Sequence, residues 1–226
     1  MNSFDWNGLK LLPQRAVWRE DARTLFVADV HIGKAAHFRA LGVPVPAGAT
    51  RENLARLDAL IDALAPRELV VLGDLFHAPA AFRDATLGEF GAWRARRAGL
   101  RLRLVAGNHD LRAGLAPAAL DIEWVAEPHD LDGLVCRHTP PESDDAQGRP
   151  VLAGHWHPAA RLRGPGHDRL RLPCFLVRRR RLVLPAFGEF TGGAVFDADE
   201  ECALCVTAGE RLVHVPARPR PALARG

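Results

Sequence analysis

Strands and helices alternating through the first half of the chain, followed by a run of short strands, predict an α/β (α+β) fold. In it two β-sheets pack together with helices outside. Three observations carry that prediction. Four apolar runs each end in a polar motif led by Gly or Asp, as a buried strand does. Two segments repeat apolar residues at helical spacing. Beyond His157 the helical signal stops, and short β-type runs alternate with Gly, Pro and Asp turns.

Taken in order, Thr24-Leu25-Phe26-Val27-Ala28, Glu68-Leu69-Val70-Val71-Leu72 and Leu102-Arg103-Leu104-Val105-Ala106 read as buried strands, and Val151-Leu152-Ala153 as a shorter one. Glu52 to Leu64 repeats Leu54, Leu57, Leu60, Ile61 and Leu64, a helical apolar face with Thr50 as N-cap and Pro66 as stop. Asp84 to Ala98 gives a second helix, with Leu87, Phe90 and Trp93 on its inner side. Gly133 to Arg137 reads as a strand. So do Arg169 to Val177, Arg181 to Leu184, Gly193 to Phe196, Cys202 to Thr207 and Arg211 to Val215. Gly33 to Arg39 with Gly42 to Gly48, Pro140 to Pro150, and Phe187 to Gly193 are expected to be substrate-facing loops. With 226 residues, 48% of them hydrophobic, the chain can bury a proper core. Residues 1–215 are expected to form one domain, and the Pro- and Arg-rich 216–226 a disordered tail.

The four apolar runs lead into metal-ligating side chains: Asp29-Val30-His31, Gly73-Asp74-Leu75-Phe76-His77, Gly107-Asn108-His109-Asp110 and Gly154-His155-Trp156-His157. Alone, Asp-x-His is a weak signal, and Gly-Asn-His-Asp reads as a turn. Four such motifs at four strand ends are not explained by turns. Carboxylate, imidazole and carboxamide without thiolate suit a pair of divalent metals, Mn, Fe or Zn rather than Ca or Mg. His138 ends the Gly133–Arg137 strand, where a ligand is expected. Its competitor, His129, sits in Pro128-His129-Asp130, which reads as an exposed turn.

This order of motifs, D-x-H, G-D-x-x, G-N-H-D, a separate His, then G-H-x-H, resembles the calcineurin-like binuclear metallophosphoesterases, from about Thr24 to Gly193. The resemblance implies their αββα sandwich. It places Asp29, His31 and His157 on a first metal, Asn108, His138 and His155 on a second, and Asp74 as the bridge. It makes His109 the acid beside the leaving group, with Asp110 holding it. His77 stands where many relatives carry Asp, and is expected to neighbour the bridging group or to contact substrate phosphate rather than to ligate metal. Arg112 is the Arg placed near the metals. Finer likeness, in D-V-H-I-G-K-A-A-H-F-R-A-L-G-V-P-V-P, G-D-L-F-H, G-H-W-H-P-A and L-P-A-F-G-E-F-T-G-G, points to the bacterial ligase-associated branch. That implies a manganese-dependent phosphodiesterase and single-strand DNA endonuclease in DNA repair, acting through a hydroxide activated by two metals. A DNA ligase, helicase or nuclease of the same pathway would be its partner.

Charge fits such a substrate. The net charge is +3, and Lys10 and Lys34 are the two lysines among 30 basic residues. Arg161, Arg163, Arg169, Arg171 and Arg178 to Arg181 concentrate basic charge after the last motif, as a phosphate backbone requires. A small-molecule phosphodiesterase or pyrophosphatase, of nucleotide or lipid A precursor type, is the alternative. A protein phosphatase would carry more Arg near the metals, and a non-catalytic scaffold would have lost ligands. No run approaches the roughly 18 apolar residues of a membrane span, and Met1 to Lys10 lacks a secretory pattern, so a cytoplasmic enzyme is expected. Cys202-x-x-Cys205 has no second pair to complete a zinc site, and with Cys136 and Cys174 it is expected to stay reduced and structural.

Overall fold

Apolar runs of the first half hydrogen-bond to one another in chain order. The computed structural model describes residues 3–45, 48–82, 84–163, 169–189 and 191–218. In it β1 (Phe4–Trp6), β2 (Leu9–Leu12), β3 (Ala16–Arg19) and β4 (Thr24–Val27) form an antiparallel meander. The sheet continues in parallel through β5 (Glu68–Leu72), β6 (Arg101–Val105) and β7 (Ile122–Val125). Parallel neighbours need crossovers. These contain α1 (Lys34–Ala40), α2 (Ala49–Leu64), α3 (Asp84–Arg96) and α4 (Asn108–Ala113).

The second sheet is also mixed. Its strands are β8 (His129–Leu131), β9 (Leu134–Cys136), β10 (Val151–Ala153), β11 (Ala159–Arg163), β12 (Arg169–Val177), β13 (Arg181–Val183), β14 (Val195–Phe196), β15 (Ala203–Ala208) and β16 (Arg211–Val215). They run in the order β14-β11-β12-β13-β10-β9-β8, with β15 and β16 added along β12.

Strand alternation sorts the core into layers. Leu25, Val27, Leu69, Val71, Leu102 and Leu104 turn toward Leu54, Leu57, Leu60 and Ile61 of α2 and Phe90 and Trp93 of α3. Their neighbours Phe26, Val70, Leu72 and Val105 face Leu152, Phe175, Leu182 and Leu184 of the second sheet. The four cysteines are free and buried. Cys205 lies between the sheets, while Cys202 and Cys174 pack on the other face of the second sheet. Among the described residues, no helix is long and apolar enough to cross a membrane.

Four local expectations are corrected. The sequence reading gives no strands for β1 to β3, because runs of three or four residues between turns carry too little periodicity. Gly33 to Arg39 is largely helix α1 rather than loop; this helix fully buries only Ala35, so no apolar stripe marks it. Thr50 lies inside α2, whose N-cap is Gly48 at φ 103°. His129 opens strand β8, paired with Cys136, and is not in an exposed turn. Pro46 and Ala47, Phe190, and the tail beyond Arg218 lie outside the described residues.

Candidate metal centre

The four motifs meet because their strands point the same way. In the first sheet β4, β5 and β6 run in parallel, and Asp29, Asp74 and Asn108 follow their C-terminal ends. In the second sheet β9 and β10 are parallel, and His138 and His155 follow theirs. The loops are laced together: Asp29 N–H donates to Gly73 O (3.1 Å), His31 N–H to Asp74 O (2.9 Å) and Gly154 N–H to His138 O (3.0 Å). Across the sheets, His155 N–H donates to Asp29 Oδ2 (2.9 Å).

The turns are tight enough to strain the chain. Asp29, His31, Asp74, His155 and His157 all have φ between 45° and 70°. That left-handed region costs a side-chain-bearing residue of order 1–3 kcal/mol, so five such residues at one pole persist only where neighbours hold them. Glycine is required beside them. A Cβ on Gly73 would collide with the His138 ring, and one on Gly107 with the Asp74 carboxylate.

One donor group is Asp29, His31 and His157, whose ligand atoms all lie within 4.8 Å of one another. Asp29 is fully buried, and its Oδ1 has no hydrogen-bond partner. His157 Nε2 stands 3.2 Å from that oxygen and 3.4 Å from His31 Nε2. His157 Nδ1 faces the Gly192 carbonyl at 3.1 Å, which places the ring proton there and leaves a lone pair on Nε2. Burial drives His31 far below the usual imidazole range, with Lys34 and the surrounding histidines adding to it. Burial also pulls His157 down, but the Asp29 carboxylate outweighs it and the net shift is upward. An orphaned buried carboxylate oxygen amid convergent nitrogens calls for positive charge, and a divalent cation fits it.

The other group is Asp74, His138 and His155. His138 Nδ1 donates to the Leu72 carbonyl (3.1 Å). Its Nε2 lone pair therefore faces Asn108 Oδ1 (3.0 Å), His155 Nδ1 (3.0 Å) and Asp74 Oδ1 (3.5 Å). Burial raises the Asp74 carboxyl above its usual range, against the pull of His138. His129 joins neither group among the described residues. Glu127, which the sequence did not single out, fixes His138 by accepting its backbone N–H at 2.7 Å and that of Thr139 at 2.9 Å.

His77 enters more closely than its sequence position suggests. With His31 and His109 it forms a third donor combination, its Nδ1 3.4 Å from His31 Nδ1. Its ring stacks on His109 (4.6 Å between centroids) and on Phe38 of α1 (5.8 Å). Burial pushes it down to about 3, with His109, Lys34 and His37 adding to the effect. Lys34, half-buried at the start of α1, carries no sequence signal that sets it apart from a loop residue. Burial lowers its ammonium pKa although Asp29 and Asp74 attract the charge.

One expected role changes. Asp110 does not hold His109. Its oxygens accept the backbone N–H groups of Asp74 (2.7 Å), Phe76 (2.8 Å) and Gly107 (3.0 Å). His109 is oriented by the His77 carbonyl, 2.8 Å from its Nδ1. Arg112 stands exposed on α4, and no ion pair joins it to the cluster among the described residues.

The site's outer wall comes from α2. Asn53 donates to the Val30 carbonyl (3.3 Å) and accepts from Glu189 N–H (3.2 Å). Arg56 pairs with Glu189 and lies over the Phe187 ring, 4.3 Å from its centroid.

Comparison with known proteins agrees with this geometry. The model of the calcineurin-like phosphoesterase family matches residues 22–140. Among solved structures, the nuclease MPE of Pseudomonas putida is 40% identical, over 95% of this chain and 99% of that one, with a TM-score of 0.81. The phosphoesterase Yfce of E. coli is 16% identical, over 86% of this chain and 99% of that one, at a TM-score of 0.40, too remote to weigh. None of the curated proteins matches. With the family model matched over more than half its length, and its strand ends gathering the His and Asp groups that such enzymes use for divalent metals, this chain belongs to the calcineurin-like phosphoesterase family and is a metal-dependent hydrolase.

Proposed function

We propose that this chain is a two-metal phosphodiesterase that cuts single-stranded DNA in DNA repair in the cytoplasm, with manganese as its metal. The observation that carries the reading is the 40% identity to a nuclease over nearly the whole of both chains. Asp29, His31 and His157 would hold one cation, and Asn108, His138 and His155 the other, with Asp74 as the carboxylate that would serve both. The donor set supports this, since these two groups combine imidazole with oxygen donors and neither offers thiolate. Bound cations supply the Lewis acidity that polarises the phosphate and the water attacking it.

The protein's own groups supply the rest. His109 Nδ1 is committed to the His77 carbonyl, so Nε2 is the atom left to deliver a proton to the leaving oxygen. His77, stacked against it, fixes the ring plane and borders the phosphate. Asp110 holds the loop of Asp74 from behind.

The test is hydrolysis of bis-p-nitrophenyl phosphate against the mono-ester, with and without Mn, followed by single-stranded against duplex DNA. Mn-dependent diester hydrolysis with cleavage of the single strand is expected. Preference for the mono-ester, or diester hydrolysis with no DNA cut, would sink the reading; the second outcome favours a small-molecule phosphodiesterase or pyrophosphatase.

A further inference from the structure

Basic charge that looks continuous in sequence is split between two ends of the strands of the second sheet. The turn Arg178 to Arg181 precedes β13, which runs parallel to β10 with Arg181 opposite Val151. It therefore lies at the end of these strands away from His155. Two of its four charges are also paired. Arg178 pairs with Glu201 (2.9 Å) and Asp199 (3.4 Å), and Arg181 with Asp144 (2.7 Å). Its position at the far strand end therefore does not support the expectation that this run guides nucleic acid to the metal pole.

The β11–β12 hairpin behaves differently. β11 begins two residues after His157, and the register sets Ala159 opposite Pro173, Arg161 opposite Arg171 and Arg163 opposite Arg169. Opposed residues share a face of the sheet, and each two-residue step advances about 6.6 Å. The Ala159–Pro173 rung lines a cleft of about 310 Å³ beside His157, bordered also by Arg15, Arg171 and Glu189. The intervening residues Ala160, Leu162 and Leu172 pack into the apolar cluster on the opposite face. The Arg161–Arg171 rung therefore continues the cleft side, outward from the metal pole. A Cβ on Gly193 would lie 3.2 Å from the Arg171 guanidinium and would strike the His157 carbonyl, so Arg171 sits beside the ligand loop itself.

These charges are not neutralised. Arg161 and Arg171 are exposed, and neither pairs with a carboxylate among the described residues. Like charges directly opposed across a hairpin destabilise it. The cleft's carboxylate, Glu189, is already held by Arg56 and by Arg15 (3.3 Å), which leaves the cleft net positive.

We infer that the Arg161–Arg171 rung is the track for the phosphates flanking the scissile one in a single-stranded DNA substrate, and so makes this site prefer a polynucleotide over a small diester. The inference rests on the nuclease reading above. A bound polyanion removes the repulsion within the rung, and each phosphate held there releases counterions.

The experiment compares R161Q/R171Q with R179Q/R180Q, at the far end of the strands, on oligo-dT and on bis-p-nitrophenyl phosphate over a series of salt concentrations. The hairpin variant should raise KM for the oligonucleotide on the order of 20-fold at 0.1 M salt and flatten the log–log salt slope by about 0.7 for each phosphate it no longer holds. Its kcat and its hydrolysis of the small diester should stay as in the parent, and R179Q/R180Q should change neither. If the parent cuts DNA and the hairpin variant cuts it equally well, or if both variants lose equally, the track is refuted while the nuclease reading stands. If the parent hydrolyses the small diester and neither binds nor cuts DNA, both fall together.

Discussion

Asp74 belongs to the donor group of His138 and His155, and the proposed bridge to the second cation rests on it. It stands 3.5 Å from His138 Nε2, and its Oδ1 also accepts the His109 backbone N–H at 2.9 Å. Asp74→Ala should lower phosphodiesterase turnover by several orders of magnitude while the fold survives, as read by kinetics and circular dichroism. Parental turnover in that variant would refute the bridge. At His109 the leaving group is the informative variable. His109→Ala should keep its bound metal but cut DNA poorly, since an alkoxide leaves only when protonated, whereas p-nitrophenolate needs little help. Equal losses on both substrates, or loss of metal by elemental analysis, would give His109 another role. Asp110 is the residue whose role the structure changes most. Burial pushes its carboxyl up to about 7 even though backbone N–H groups favour its ionised form. Asp110→Ala leaves three buried N–H groups without an acceptor and should cost on the order of 3 kcal/mol in denaturant unfolding. An unchanged midpoint together with the kinetic defect of His109→Ala would return it to proton transfer.

The same strand ends show how elements, rather than single residues, fix a ligand. Gly73 closes β5 at φ 78°, and the His138 ring fills the space where a Cβ would stand. Gly73→Ala therefore strains one strand end and displaces the His138 ring supplied by the other sheet. Bound Mn should fall from two equivalents toward one, measured by inductively coupled plasma analysis, while secondary structure is retained. Two retained equivalents would show that His138 is not needed by the second cation. Helix α1 acts in a similar way from the other side, since Phe38 and His37 pack on His77 and set the plane against which His109 stacks.

For the whole molecule, the core and the metal pole make separate contributions. The two apolar layers carry the fold, with Phe26, Trp93, Phe175 and Phe187 each 1% exposed or less. The pole gathers buried carboxylates and imidazoles on left-handed backbone, an arrangement costly until cations bind. Mn should accordingly raise the thermal midpoint and a chelator lower it. Binding to the folded state alone is worth about 2.7 kcal/mol at a hundredfold excess over Kd. A midpoint insensitive to both would mean that the pole does not bind metal in the folded chain.

The sequence by itself determined the two-sheet class, the buried strands and the residues that gather at their ends. Those signals are local: an apolar run marks a strand whose direction the chain fixes, and a ligand type following it lands at that strand's end. Even the cysteine pair could be read, because residues three apart on a strand face opposite ways. Contacts between segments distant in sequence decided the rest. Helix α1 is too short and too lightly buried to show a period, and β1 to β3 become strands only through pairing with β4. Asp110 looks in sequence like the partner of its neighbour His109, yet its acceptors point at the backbone of a loop 36 residues away. The arginines after His157 look like one basic run. Folding places Arg178 and Arg181 against carboxylates from other segments, and leaves Arg161 and Arg171, on the hairpin that follows His157, without a carboxylate partner among the described residues. Residue type and spacing determine what chemistry a chain can hold, but charge pairing acts through space, so tertiary structure alone decides which charges stay free to meet a substrate.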